Sequence, residues 1–149
     1  MTLSGIHHVS ILVTDMARSV DFYSRVLGLK EVKRPTNFTV SVRWFELGAS
    51  QIHLIPSAAA DTISPRHFAL HVDDCNAARE YLREHAVDVR ETEPIAGADR
   101  FFIADPDGNN IEIIHWFRPW DETSEAELGV PRSQGRQLAS QLPGGLPGR

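Results

Sequence analysis

Apolar and polar positions in the first half of the chain follow a strand period, then a helical period, then a strand period again. Residues 6–13 alternate as a half-buried strand does. Asp15 suits a helix N-cap, and the apolar residues after it recur at steps of four and three until Gly28, which suits a left-handed C-cap. Three further strands are predicted at residues 29–33, 38–47 and 51–55. This half is therefore predicted to be a β-α-β-β-β unit.

The second half repeats this order at a constant step. The segment His8–Asp15 (HVSILVTD) recurs 59 positions later as His67–Asp74 (HFALHVDD), and Gln51–Ile55 matches Asn110–Ile114 at the same step. Trp44 falls on Ile103 in this alignment. After the strand at His67, a helix capped by Asp74 and strands at residues 88–93, 100–104 and 109–116 are predicted. The chain is therefore predicted to contain two copies of one unit, which gives an α+β fold.

The repeat also predicts the domain organisation. One domain is expected over residues 1–120, with module one at 5–56, a linker at 57–65 and module two at 66–116. The tail at 121–149 lacks a packing pattern, and we expect it to be flexible or docked on the body or on a partner. About sixty residues with one helix leave a sheet face uncovered, so each module needs a twin. The twin lies either in the same chain or in a second copy, and a homodimer is expected.

Composition restricts the function classes. The 149 residues suit one compact domain, and a net charge of −5 gives no reason to expect binding to nucleic acid or to an anionic membrane. No apolar run approaches the ~20 residues of a membrane helix, and no signal peptide is apparent. The single cysteine, Cys75, excludes an intrachain disulfide, so a cytoplasmic location is expected.

Four polar residues occupy matching strand positions, each opposite the main apolar set: His8, His53, His67 and Glu112. If they project into one concave face, burying three imidazoles and a carboxylate is costly unless something satisfies them. A divalent Fe, Mn, Co, Ni or Zn ion does so. His8, His67 and Glu112 would form a two-histidine, one-carboxylate site with open positions for substrate. His53 would be a fourth ligand or a nearby acid/base.

The ordinary interpretation applies to each residue taken singly. A lone strand histidine is more often a satisfied core or surface group than a ligand, and this holds for His7, His71 and His115. The shared step of 59 is what favours a metal site for the four together. Several arginines could bind an anionic substrate, although an ordinary solvated side chain is the commoner role: Arg34, Arg43, Arg66 and Arg100.

These motifs resemble the vicinal oxygen chelate superfamily, which includes glyoxalase I, bleomycin-resistance proteins, fosfomycin-resistance enzymes and extradiol dioxygenases. The resemblance covers about residues 5 to 116. Its motifs are His7-His8-Val9-Ser10-Ile11, Ser19-Val20-Asp21-Phe22-Tyr23 with Leu27-Gly28, Arg66-His67-Phe68-Ala69-Leu70, and Asp105-Pro106-Asp107-Gly108-Asn109-Asn110-Ile111-Glu112.

The resemblance implies two βαβββ modules that form a U-shaped, eight-stranded mixed sheet around a metal. His8, His53, His67 and Glu112 fall on the superfamily's four ligand positions. Glyoxalase I usually has Glu at the position of His53, where it moves the substrate proton, so this chain departs from that pattern. Bleomycin-binding relatives lack the ligands, so their presence favours an enzyme.

Three functions follow from the resemblance. The first is a metal-dependent glyoxalase-like lyase or isomerase, acting on a small α-oxo or hydroxy-carbonyl compound through a metal-stabilised enediolate, with Glu112 or His53 moving the proton. The second is an extradiol-type Fe(II) dioxygenase. The third is a small-ligand binding or resistance protein. Metal identity and oxygen dependence would separate them.

Overall fold

The computed structural model describes residues 1–35, 37 and 39–119. The predicted tail at 121–149 therefore lies outside the described residues. No helix in these ranges has the length and apolar character needed to cross a membrane.

The described chain contains the two predicted modules in the predicted order. The first consists of β1 (His8–Val13), α1 (Met16–Asp21), a π-helical segment (Phe22–Val26), β2 (Lys30–Val32), β3 (Arg43–Leu47) and β4 (Ser50–Pro56). The second consists of β5 (His67–His71), α2 (Cys75–Glu84), β6 (Arg90–Glu91), β7 (Ala98–Ala104) and β8 (Asn110–Trp116). The predicted α+β class with βαβββ modules is thus confirmed.

Side-chain caps start both helices, as the sequence predicts. The Asp15 carboxylate accepts from the backbone N–H of Arg18 at 3.0 Å, and Asp74 caps α2 in the same way. In the first module the helix widens, because the N–H of Leu27 donates to the Phe22 carbonyl five residues earlier. Gly28 then ends the helix with a φ of +69°, a conformation that favours glycine.

The eight strands divide into two four-stranded mixed sheets with equivalent orders, β1-β4-β3-β2 and β5-β8-β7-β6. The pairs β1–β4 and β5–β8, at one edge of each sheet, are parallel, and the remaining pairs are antiparallel. Ser10 pairs with His53, and 59 positions later Ala69 pairs with Glu112. The repeat seen in the sequence is therefore a repeat of strand register.

The step of 59 does not hold throughout each module. Trp44 opposes His53 and Phe102 opposes Glu112, so the structural equivalent of Trp44 is Phe102, 58 positions later. The predicted match of Trp44 with Ile103 is wrong. The hairpins differ as well, because β3 and β4 are joined by a two-residue turn whereas residues 105–109 join β7 to β8.

One sheet face of each module carries the core. Ile52 and Leu54 of β4 and Ile111 and Ile113 of β8 are buried there. The helices supply further buried side chains to the same cluster: Phe22, Tyr23, Cys75 and Leu82. The predicted apolar sets therefore do pack under the helices, and the opposite face of each sheet carries the candidate ligands.

Two strands are shorter than predicted by more than two residues. The predicted strand at 38–47 is confirmed only from Arg43, because the Val42 N–H donates to the Val40 carbonyl at 2.9 Å and turns the backbone before it. The predicted strand at 88–93 is confined to Arg90–Glu91, with Pro94 following closely.

A buried polar cluster joins the two modules. Asp105 is 4% exposed, and its carboxylate accepts from the hydroxyl of Tyr23 at 3.0 Å and from the side-chain amide of Asn109 at 2.8 Å. It also accepts from the backbone N–H groups of Asp107 and Asn109. Burial, and then the Asp105 carboxylate, raise the pKa of Tyr23 far above its ordinary value, so the phenol stays a donor. From sequence alone, Asp105-Pro106-Asp107-Gly108 indicates only a turn.

Replacing Asp105 by alanine is expected to lower the free energy of unfolding by about 3 kcal/mol, because four donors lose their acceptor in a buried site. Urea denaturation measures this change. Asp21→Ala is the control, since among the described residues the Asp21 carboxylate forms just an exposed ion pair with Arg25, and its loss should cost less than about 0.5 kcal/mol. Equal losses in the two variants would contradict the role assigned to Asp105.

Candidate metal centre

The second module brings two of the four predicted ligands into contact. The parallel pairing of β5 and β8 sets Ala69 beside Glu112, so His67, two residues earlier, lies diagonally across from that carboxylate. The Nε2 atom of His67 is 3.2 Å from Oε2 of Glu112. The Glu112 side chain is only 9% exposed, whereas the His67 ring reaches solvent. We call this pair the His67–Glu112 half-site.

The hydrogen bonds of His67 assign its tautomer. Its Nδ1 lies 2.9 Å from the carbonyl oxygen of Pro65. Because a carbonyl oxygen only accepts, Nδ1 carries the proton, and in a neutral ring the lone pair is on Nε2. That lone pair then faces an acceptor, the Glu112 carboxylate. The contact requires either a proton between Nε2 and Oε2 or a cation bound by both atoms.

This arrangement fits a divalent ion. Two ligand atoms each about 2.1 Å from one octahedral ion, and at right angles around it, lie about 3.0 Å apart. The observed separation of 3.2 Å is close to that value. Metal-bound histidines also commonly donate their second N–H to a backbone carbonyl, as His67 does to Pro65. The residues present therefore suit the metal that the sequence predicted.

The first module brings the other two predicted ligands together. The rings of His8 and His53 stack with centroids 4.2 Å apart, and the Trp44 ring stacks on the other face of His53 at 4.3 Å. His53 is 8% exposed, and its Nε2 is 2.8 Å from the side-chain oxygen of Gln51. His8 is exposed, with its Nδ1 3.0 Å from Nδ1 of His7. We call this pair the His8–His53 half-site.

The environment of His53 favours its neutral form. Burial lowers the pKa of His53, and the neighbouring His8 and His7 lower the pKa further. A neutral imidazole is the form that binds a metal or accepts a proton. This property is common to both roles that the sequence left open for His53.

The single chain does not unite the two half-sites. Within residues 1–35, 37 and 39–119, no three His, Cys, Asp or Glu side chains come close enough to hold a metal ion. A cavity of about 240 Å³ lies between β1 and β5, and His67 is the one predicted ligand among the described residues that line it. Each chain therefore offers two separate pairs of ligands.

An arginine completes the surroundings of Glu112. Nη1 of Arg100 donates to Oε1 of Glu112 at 2.8 Å, and the Arg100 side chain is only 17% exposed. The expectation of an ordinary solvated side chain is therefore wrong for Arg100. Arg43 and Arg66, in contrast, form ion pairs with Glu31 and Asp61, and Arg66 and Asp61 line the same cavity as His67.

The remaining strand histidines have local partners. His115 is 2.9 Å through Nδ1 from the Val72 carbonyl, and His71 accepts weakly from the Trp116 N–H at 3.4 Å. His7 contacts His8 through their Nδ1 atoms. Trp44 is a site residue that the sequence does not mark, because it continues the alternating apolar set Phe38, Val40 and Val42 of the predicted strand.

Comparison with known proteins gives consistent matches. Residues 5–113 match the model of the Glyoxalase/Bleomycin resistance protein/Dioxygenase superfamily. A lactoylglutathione lyase of Haemophilus influenzae is 33% identical over 120 residues, which cover 72% of this chain and 89% of the lyase.

Two further similarities differ in extent. A putative ring-cleaving dioxygenase of Bacillus subtilis is 54% identical over 37 residues, or 25% of this chain and 12% of that protein. Among solved structures, a putative glyoxalase family protein from Bacillus anthracis is similar with a TM-score of 0.72 and 23% identity. The similarity covers 77% of this chain and 97% of that one, and it shows a common fold.

Proposed function

Because the chain belongs to the glyoxalase/bleomycin resistance protein/dioxygenase superfamily, we propose that it is a metal-dependent, glyoxalase-like lyase or isomerase. Its substrate would be a small α-oxo or hydroxy-carbonyl compound. The observation that carries the proposal is the His67–Glu112 contact, in which an imidazole nitrogen and a carboxylate oxygen face each other at 3.2 Å. The similarity to lactoylglutathione lyases supports the reaction class.

The complete site would form between two copies of the chain. The His8–His53 half-site of one protomer would face the His67–Glu112 half-site of a second copy. Together the two half-sites would supply three nitrogens and one carboxylate oxygen. The structure supports this arrangement because the half-sites are equivalent in strand register yet separate within one chain. A twofold axis between copies would generate two such sites in a dimer.

The side chains around the site would bind the ion and move protons. His8, His67 and Glu112 would hold the metal, and a divalent ion there would act as a Lewis acid toward two neighbouring substrate oxygens. Its lowered pKa favours the neutral form of His53, which is 8% exposed, so it can accept a substrate proton at an imidazole nitrogen or serve as a fourth ligand. Trp44 stacks on His53 and fixes the plane of its ring.

We expect the protein, purified anaerobically and stripped of metal, to take up about one divalent ion per chain. At a hundredfold excess over the dissociation constant, binding should raise the thermal midpoint by about 5–10 °C. Elemental analysis and thermal unfolding measure both effects for Fe, Mn, Co, Ni and Zn. His8→Ala should lose most of the shift, while His85→Ala, on the exposed end of α2, should retain it. A protein that takes up none of these metals would contradict the proposal and favour a binding protein.

The second candidate is an extradiol-type Fe(II) dioxygenase. It is favoured by the segment that is 54% identical to a putative ring-cleaving dioxygenase, and by a histidine rather than a glutamate at position 53. Oxygen consumption distinguishes the two functions. The iron-loaded protein would consume oxygen with a catechol if it is a dioxygenase, whereas an isomerase would convert an α-oxo aldehyde at the same rate with and without oxygen.

A further inference from the structure

Arg100 places a guanidinium on the same sheet face as Glu112. Across β7 and β8, Arg100 pairs with Ile114 and Phe102 pairs with Glu112. These four side chains therefore lie on the same sheet face, which also carries His67. Besides its 2.8 Å bond to Glu112, Arg100 donates from Nη2 to the Glu93 carbonyl at 3.1 Å. The guanidinium carbon of Arg100 lies 5.8 Å from the centre of the Phe102 ring.

This face of the second sheet carries more positive than negative charge. Arg90 opposes Phe102 and therefore shares the face, and it donates to two neutral acceptors, the Ile103 carbonyl and the Asn110 side chain. On this face of strands β5–β8, the cationic side chains are Arg90 and Arg100, and the single carboxylate is that of Glu112. On the first sheet, Glu46 is paired with Lys30, so it does not compensate. A divalent ion would add two further positive charges.

Arg100 also has N–H donors that no described residue accepts. Its Nε is buried and has no hydrogen-bond partner among the described residues. Two of its five N–H groups donate to described residues, one to Glu112 and one to Glu93. Buried guanidinium groups normally have their donors satisfied, so unused donors beside a predicted ligand point to an acceptor that arrives with the substrate.

We propose that Arg100 is a specificity-determining residue that binds a carboxylate of the substrate, and that the substrate is therefore the anion of a small 2-oxo or 2-hydroxy acid. The inference rests on the proposed function and narrows its substrate class. A neutral α-oxo aldehyde would leave the positive charge uncompensated, whereas a carboxylate offsets the charge and accepts from the fork of Arg100.

The test compares lactate with lactamide, which has nearly the same shape but no charge. Isothermal titration of the metal-loaded protein is expected to show that lactate binds about tenfold more tightly than lactamide, or more. Arg100→Gln should bring the ratio of the two affinities close to one, and Arg100→Lys should retain part of it. Arg83→Gln is the control, because Arg83 lies on the exposed side of α2.

Metal retention is measured on every variant, so that a failure of the site is distinguished from a failure of the inference. If Arg100→Gln keeps its metal and its preference for lactate, the proposed function stands and the role of Arg100 is refuted. If Arg100→Gln loses both ligands equally, Arg100 only supports Glu112, and the inference is refuted as well. If the wild-type protein takes up no metal, the proposed function fails. The titration of the metal-free protein then tests the anion-binding role of Arg100 alone. If Arg100→Gln leaves the ratio of the lactate and lactamide affinities unchanged, that role is refuted.

Discussion

Glu112→Gln is expected to lower metal affinity by more than about 100-fold and to reduce activity to background. The change removes the only carboxylate among the four predicted ligands, and a loss of this size exceeds the 10–100-fold typical of changes to groups that merely orient a ligand. Equilibrium dialysis against a metal-buffered solution measures the affinity. The substitution also leaves Arg100 without its ion-pair partner, so the unfolding transition is recorded in parallel.

The matched control for this variant is Glu46→Gln. Glu46 lies on β3, in the first sheet, and forms an exposed ion pair with Lys30 at 3.2 Å. Its replacement removes one negative charge without touching either half-site, so metal affinity should change by less than about threefold. Retention of metal by a folded Glu112→Gln protein at the wild-type level would exclude Glu112 as a ligand.

Mixing two inactive variants is expected to restore activity. His8→Ala and Glu112→Ala each disable every site of their own homodimer. In a mixed dimer whose sites form between copies, one site receives both substitutions and the other receives neither. Random pairing makes half of the dimers mixed, so about a quarter of the wild-type activity should return after the subunits are dissociated and recombined.

The opposite result is equally informative. If all ligands of a site came from one chain, each site would keep one substitution, and mixing would restore nothing. A mixture of His8→Ala with His53→Ala is the internal control, because both substitutions fall in the same half-site. Every site of that mixed dimer would lack one histidine, so it should stay inactive in either arrangement.

Much of the fold follows from local sequence signals. The two N-cap aspartates, the left-handed Gly28 and the recurrence of one pattern predicted both modules. The edges of the sheets were less predictable, because β2 and β6 are short and are defined by their partners rather than by their own alternation. Backbone turns such as the one at Val42 leave no periodic signature.

The candidate site was only half predictable for a related reason. Parity identifies which face a side chain occupies, and it placed His67 and Glu112 correctly on one face. Parity does not reveal which residues of neighbouring strands meet. Trp44 meets His53 because the two-residue turn after Leu47 fixes the register, and Arg100 meets Glu112 because of the longer connection between β7 and β8.

The π-helical segment Phe22–Val26 explains how the two modules keep the same strand register although the segments that join their helices to the next strands differ in length. From the helix start to the register-equivalent residues Val32 and Arg90, the first module is one residue longer than the second, and a π turn is how a helix absorbs a single inserted residue. An insertion inside β3 would have turned Trp44 to the opposite face and separated it from His53. The wide turn thus lets the first module accommodate one additional residue while Trp44 keeps its place beside His53.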